Sequence, residues 1–87
     1  MKCYIITFEI NSNIDIQIFY ENIKSHGKWS RITEYTWAVV TTSSAKEIRD
    51  GLMSIMKKED RLFVIKSGLE SAWFNSICKN EWLRNNL

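Results

Sequence analysis

Apolar residues form a nearly continuous run along the first ten positions of the chain, and successive side chains of a strand alternate between its two faces. Most residues from Lys2 to Ile10 are aromatic or β-branched, and an Asn-Ser-Asn cluster follows, which predicts a β-strand over Lys2–Ile10. The alternation assigns the side chains to two faces: Tyr4, Ile6, Phe8 and Ile10 to one, and Cys3, Ile5, Thr7 and Glu9 to the other. The first face is apolar and the second nearly so. We therefore expect an internal strand with groups packed on both sides.

Glu9 is the exception on the second face. A carboxylate on a largely buried surface costs about 2–7 kcal/mol unless it is paired, metal-bound or protonated. The sequence leaves open whether Glu9 is a metal ligand, a carboxylate at an interface or a solvated residue.

Hydrophobic periodicity predicts the remaining elements. They are, in chain order, a helix over Asn13–His26, strands over Lys28–Thr33 and Trp37–Thr42, a helix over Ser44–Lys57 and a strand over Arg61–Lys66. Ser12 with Asp15 resembles a capping box for the first helix, and Ser44 with Glu47 forms one for the second.

Residues 68–87 are predicted to form a C-terminal extension. Phe74, Ile77, Cys78 and Trp82 follow helical spacing, which predicts a final amphipathic helix from about Asn75. A short strand over residues 72–74 that leads into this helix is the alternative.

The element order predicts an α+β domain of the ferredoxin-like, βαββαβ class. Two helices would cover one face of a four-stranded antiparallel sheet, and the first strand would be internal. The uncovered face would carry Ile5 and Thr7, and an exposed apolar face on a small domain predicts a partner.

Composition bounds the function only weakly. The 87 residues suit one domain, and the net charge of +2, from 12 basic and 10 acidic residues, is too balanced to argue for nucleic acid by itself. Neither a signal segment nor a membrane span is expected, so two free cysteines in a cytoplasmic protein are the default. The residues alone predict a small soluble domain with one unusual carboxylate.

One basic cluster accompanies aromatic residues. Lys24, Lys28 and Arg31 form a candidate phosphate-binding set, although a solvated edge is the commoner role of such residues. The four tryptophans are candidates for base stacking, although core or dimer contacts are their commoner use.

Several segments resemble a known family. YIITFEI is similar to the opening strand of the CRISPR-associated protein 2 family and its SinR-like relatives, and IKSHGKW, TEYTWAVVT, SAKEIRDGL and EDRLFVIKSG follow the SinR-like pattern. The resemblance implies a ferredoxin-like homodimer joined through the open sheet face. It also implies either metal-dependent nuclease or toxin-type ribonuclease activity, or a non-catalytic role with nucleic acid in defence or mobile-element biology.

The resemblance makes Glu9 the candidate catalytic and metal-binding residue, since the family has an Asp at the end of this strand. The extra methylene of Glu9 weakens the case for Mg²⁺, which demands near-ideal octahedral geometry. We therefore predict a non-catalytic homodimer without a cofactor, with Ile5, Thr7, Trp73 and Phe74 at its interface. Nucleic acid or a defence-system protein is the further partner expected, and no membrane. A metal-dependent nuclease with Glu9 and Mg²⁺ at the dimer axis is the alternative.

Overall fold

The computed structural model describes residues 1–68 and 70–87. Its elements are β1 (Lys2–Glu9), α1 (Ile16–Lys24), β2 (Lys28–Thr33), β3 (Thr36–Thr41), α2 (Ala45–Met53), β4 (Arg61–Lys66) and α3 (Asn80–Asn86). Leu69, which belongs to the predicted extension over 68–87, lies outside the described residues. Among the helices in the described part of the chain, none has the length and apolar character needed to cross a membrane.

The four strands form one antiparallel sheet in the order β2-β3-β1-β4. β1 and β2 are parallel to each other with β3 between them, and β3 and β4 are parallel with β1 between them. The predicted α+β class and four-stranded antiparallel sheet are confirmed, and β1 is internal as expected.

One face of the sheet packs against α1 and α2. The even-numbered side chains of β1 after Lys2 join Phe19 and Ile23 of α1 and Ile48 and Leu52 of α2 in a single buried cluster. The rings of Phe8 and Phe19 lie 4.7 Å apart between centroids. Both helices are amphipathic because their apolar residues recur every three or four positions, so each buries one stripe against the strands.

Both helices are shorter than predicted. Asp15, not Ser12, caps α1, because its carboxylate accepts the backbone N–H of Gln17 at 3.0 Å. Ser12 instead donates its hydroxyl to Asp60, in the loop before β4, at 2.7 Å. The predicted Ser44–Glu47 capping box is confirmed, and α2 ends at Met53 with Ser54 as its C-cap.

The C-terminal segment forms less regular structure than the sequence suggests. Asn75 has a φ of 56°, a left-handed conformation that does not fit a right-handed helix, and α3 begins only at Asn80. The predicted final helix is therefore present, but its predicted start near Asn75 was wrong, and residues 72–74 do not form the alternative strand.

The C-terminal segment is hydrogen-bonded to the sheet near both of its edges. It leaves β4 at Ser67, whose N–H donates to Cys3, and reaches the opposite edge, where Ile77 donates its N–H to Ile32 in β2 at 2.7 Å. Ser30 points to this face from the edge strand β2, yet it is only 7% exposed. We infer that the segment covers this part of the face, so the chain shields much of the surface predicted for a partner.

Candidate functional site

Glu9 ends β1 and is exposed to solvent. Its carboxylate accepts a hydrogen bond from the guanidinium of Arg61, its register partner in β4, at 3.2 Å. The expectation of a carboxylate on a largely buried surface is therefore wrong at this position. The physical reason is that the strand stops at Glu9, beyond the reach of the groups that cover the sheet face. Within the single chain Glu9 is a solvated carboxylate paired with a cation, and the metal-ligand and interface alternatives stay predictions.

The surroundings of Glu9 do not fit a Mg²⁺ site within one chain. Mg²⁺ requires near-octahedral coordination by oxygen atoms, usually from carboxylates, phosphates and water. Glu9 instead faces a guanidinium, and no group of three His, Cys, Asp or Glu side chains with metal-binding geometry occurs in residues 1–68 and 70–87. We therefore derive no chemistry through a metal here.

Five side chains form a basic and aromatic cluster where α1 meets β2, which we call the α1–β2 corner. Its members are Tyr20 and Lys24 of α1, Trp29 and Arg31 of β2, and Trp37 of β3. Local geometry brings them together. Residues 20 and 24 are one turn apart on α1, and residues 29 and 31 lie on the same face of β2. Trp37 is directly opposite Arg31 in the β2–β3 register.

The aromatic rings of the corner pack on one another, with Trp37 stacked on Tyr20 and tilted against Trp29. Trp37 is buried and lies 5.0 Å from Tyr20 and 5.2 Å from Trp29 between ring centroids, with interplanar angles of 30° and 36°. Trp29 remains 42% exposed, so the stack presents its outermost ring to solvent. The buried ring of Trp37 holds Trp29 in place and thereby reduces the conformational entropy that a ligand would have to remove.

Two cations lie against these rings. The ammonium of Lys24 is 4.7 Å from the centroid of Trp29, and the guanidinium of Arg31 is 5.3 Å from that of Tyr20. Arg31 also donates to the hydroxyl of Tyr20 at 3.3 Å and to the carbonyl of Glu34 at 3.0 Å, which fixes its orientation. Both contacts are within the roughly 6 Å range of cation–π attraction.

The structure separates the predicted basic set. Lys24 and Arg31 meet at the corner, whereas Lys28 is one position before Trp29 and so lies on the opposite face of the sheet. Lys28 therefore does not belong to the same site. Tyr20, which completes the corner, was not among the binding residues predicted from the sequence. Tyr20 is four residues before Lys24, a spacing that places both side chains on the same face of a helix and could have indicated the pair.

The residues predicted at a dimer interface differ in exposure. Ile5 and Thr7 are half-buried within the single chain, and the hydroxyl of Thr7 accepts a hydrogen bond from Thr36 at 3.3 Å. Trp73 is also half-buried and donates its indole N–H to Asn80 at 3.0 Å. Phe74 is 95% exposed and is the member of the set most available to a partner.

Comparisons with known proteins gave no match to a family model, a curated protein or a solved structure. The resemblance to CRISPR-associated protein 2 and SinR-like proteins stays a prediction.

Proposed function

We propose that this protein is a non-catalytic, homodimeric module that binds single-stranded nucleic acid at the α1–β2 corner. The observation that carries the proposal is the exposed ring of Trp29, which packs on the buried ring of Trp37 and is flanked by Lys24. Proteins that bind single strands combine such rings, on which bases stack, with cations that follow the backbone phosphates.

A nucleic-acid base and the ammonium of Lys24 would compete for the ring of Trp29, and the contact energies favour the base. A base stacked on an aromatic side chain contributes about 1–3 kcal/mol, whereas a cation–π contact at an exposed site contributes about 0.5–1 kcal/mol. A base can therefore displace the ammonium of Lys24 from the ring of Trp29. The freed ammonium then neutralises a phosphate next to that base.

Unpaired donors in the corner add support. The Nε of Arg31 and the indole Nε1 of Trp37 are buried and have no hydrogen-bond acceptor among the described residues. A buried donor without an acceptor costs about 1–3 kcal/mol. A small opening of the corner that admits a phosphate or base oxygen would recover part of that cost.

The ferredoxin-like class and the CRISPR-associated protein 2-like or SinR-like relationship form part of the same proposal. Their support is the arrangement of the first 66 residues, in which each βαβ unit has a third strand between its two parallel strands. The helix α3 is an addition to that arrangement. The metal-dependent nuclease alternative gains no support, because the carboxylate of Glu9 faces a guanidinium and the described residues hold no group of three metal-binding side chains.

The proposal is tested by titrating fluorescently labelled single-stranded DNA and RNA with the protein at about 50 and 200 mM salt. We expect binding that weakens as salt rises, because released counterions accompany each phosphate contact. Trp29→Ala should weaken binding about 5- to 150-fold, the equivalent of 1–3 kcal/mol. Trp29→Phe, which keeps an aromatic ring, should retain most of the affinity.

Two control variants distinguish binding at the α1–β2 corner from binding through positive charge elsewhere on the surface. Lys24→Ala and Lys46→Ala remove one positive charge each, but Lys46 is exposed on α2 and is not a member of the corner. Only the first should lower affinity by more than about threefold, since one phosphate contact is lost. Equal effects of the two variants, or no binding by the folded wild type at 50 mM salt, would refute the proposed site. The same oligonucleotides should remain uncleaved in Mg²⁺ or Mn²⁺.

A further inference from the structure

The two edges of the sheet are protected differently. At the β2 edge, Ile32 accepts a backbone hydrogen bond from Ile77 of the C-terminal segment. At the β4 edge, no hydrogen bond within residues 1–68 and 70–87 reaches the outward backbone groups of Leu62, Val64 and Lys66. An edge strand of this kind is a template for pairing with another strand.

The identity of the outward groups follows from the register. Ser67 donates its N–H to Cys3 in β1, and N–H groups alternate in direction along a strand. The odd-numbered residues of β4 therefore bond to β1, and the even-numbered ones direct their N–H and C=O groups away from the sheet. The bond from Phe8 to Tyr35 agrees, since it shows that the even-numbered residues of β1 bond on the side of β3.

Apolar side chains accompany this open edge. Phe63 is 59% exposed and Ile65 is 50% exposed, and both point to the sheet face opposite α1 and α2. Charged residues occur only at the two ends of β4, at Arg61 and Lys66. Natural edge strands of this length usually carry an inward charge, a bulge or a proline, and the centre of β4 has none of them.

We propose that β4 pairs antiparallel with β4 of a second copy of this chain, with Val64 on the twofold axis, so that two four-stranded sheets join into one of eight strands. The proposal rests on the homodimer proposed above and identifies its contact. Val64 would exchange backbone hydrogen bonds with the partner's Val64, and Leu62 with the partner's Lys66. The three outward residues of each strand would thus form about six hydrogen bonds.

The strand is complementary to itself in this register. Phe63 faces the partner's Ile65 in a non-hydrogen-bonded pair, the type of antiparallel pair in which side chains approach most closely. Arg61 faces the partner's Ser67, and Lys66 faces the partner's Leu62, so no like charges are directly opposite. A shift by one residue would place Arg61 opposite the partner's Lys66 and move Phe63 to the wrong face. These matches favour a second copy over an unrelated extended segment.

Val64→Pro tests the edge selectively. The N–H of Val64 points away from β1, so proline removes a donor from the proposed interface and leaves the β1–β4 ladder intact. Val64→Ala, which keeps the N–H, is its matched control. Phe63→Lys is a second variant at an exposed position, in case proline prevents folding. Circular dichroism establishes which variants fold.

Sedimentation equilibrium at tens of micromolar then measures the mass. We expect the wild type and Val64→Ala at twice the 10.3 kDa of one chain. Val64→Pro and Phe63→Lys should be monomeric, with dimer dissociation constants raised at least about tenfold through loss of interface hydrogen bonds.

Two results would overturn this contact in different ways. A dimer that survives both edge variants but is lost in Phe74→Lys would place the contact at the C-terminal segment and leave the homodimer proposal standing. A monomeric wild type would remove the homodimer altogether, including pairing of β4 with another copy. Neither result bears on the α1–β2 corner, which is tested by the nucleic-acid titration.

Discussion

Replacing Gly27 with alanine tests how closely β2 is held against β3. Gly27 immediately precedes β2 and has a φ of 157°, in a region that L side chains rarely adopt. A Cβ atom there would overlap the carbonyl oxygen of Val40 and lie 3.3 Å from its carbonyl carbon. The neighbouring residue Lys28 is paired with Val40, so the backbone cannot move away without disturbing the start of the β2–β3 ladder.

The magnitude follows from two costs. Backbone strain at a sparsely populated φ contributes about 1–3 kcal/mol, and each weakened ladder hydrogen bond contributes about 0.5–1.5 kcal/mol. We therefore expect Gly27→Ala to lower the free energy of unfolding by about 2–4 kcal/mol. A chain of 87 residues has a total stability of about 4–13 kcal/mol. The midpoint of thermal unfolding should fall by at least about 8 °C.

Gly51→Ala is the matched control, because it makes the same chemical change with the opposite expected sign. Gly51 lies within α2, and a Cβ there would make ordinary contacts, 3.4 Å from Oδ1 of Asn22 and 3.9 Å from Nε2 of His26. Alanine stabilises a helix interior by about 0.8–1 kcal/mol relative to glycine. We expect the midpoint to rise by about 4–8 °C.

The assay is thermal and urea unfolding followed by circular dichroism, at one protein concentration because any self-association shifts the midpoint. The reasoning would be refuted if Gly27→Ala unfolded within about 2 °C of the wild type, since a shift of that size corresponds to well under 1 kcal/mol. A loss of stability in Gly51→Ala would show instead that α1 and α2 are packed more tightly at Asn22 than the distances indicate.

Two further predictions concern titratable groups. Burial alone would raise the pKa of Asp60, but hydrogen bonds from Lys57, Asn11 and Ser12 lower this pKa overall. The ionised carboxylate therefore stabilises the fold above the pKa of Asp60 in the unfolded chain, and this stabilisation is lost as pH falls through the lower pKa of the folded protein. Asp60→Asn should flatten the acid side of a profile of unfolding free energy against pH, and an unchanged profile would exclude this role. Burial raises the pKa of the Cys3 thiol, whereas Cys78 is partly exposed. A thiol reagent at pH 8 should therefore modify Cys78 rapidly and Cys3 only on unfolding. Two equally fast reactions would contradict the buried position of Cys3.

The local sequence determined the elements and the main core. The alternation in β1, the apolar stripes of α1 and α2, and the Ser44–Glu47 capping box depend on neighbours within a few residues, so they were readable without a structure. The element boundaries were less certain because helix ends depend on contacts with distant residues. Ser12, for example, binds Asp60 instead of capping α1.

Only the tertiary structure determined the candidate sites. Tyr20, Trp29 and Trp37 belong to three different elements, and their stack depends on how α1 docks on the β2 edge of the sheet. The pairing of Glu9 with Arg61 likewise needs the β1–β4 register, which joins residues 52 positions apart. A periodic pattern states which side of an element is buried, but it does not state which other element covers that side. The C-terminal segment shows helical spacing from Phe74 but becomes helical only at Asn80, so its path is the part of this fold that sequence patterns left undetermined.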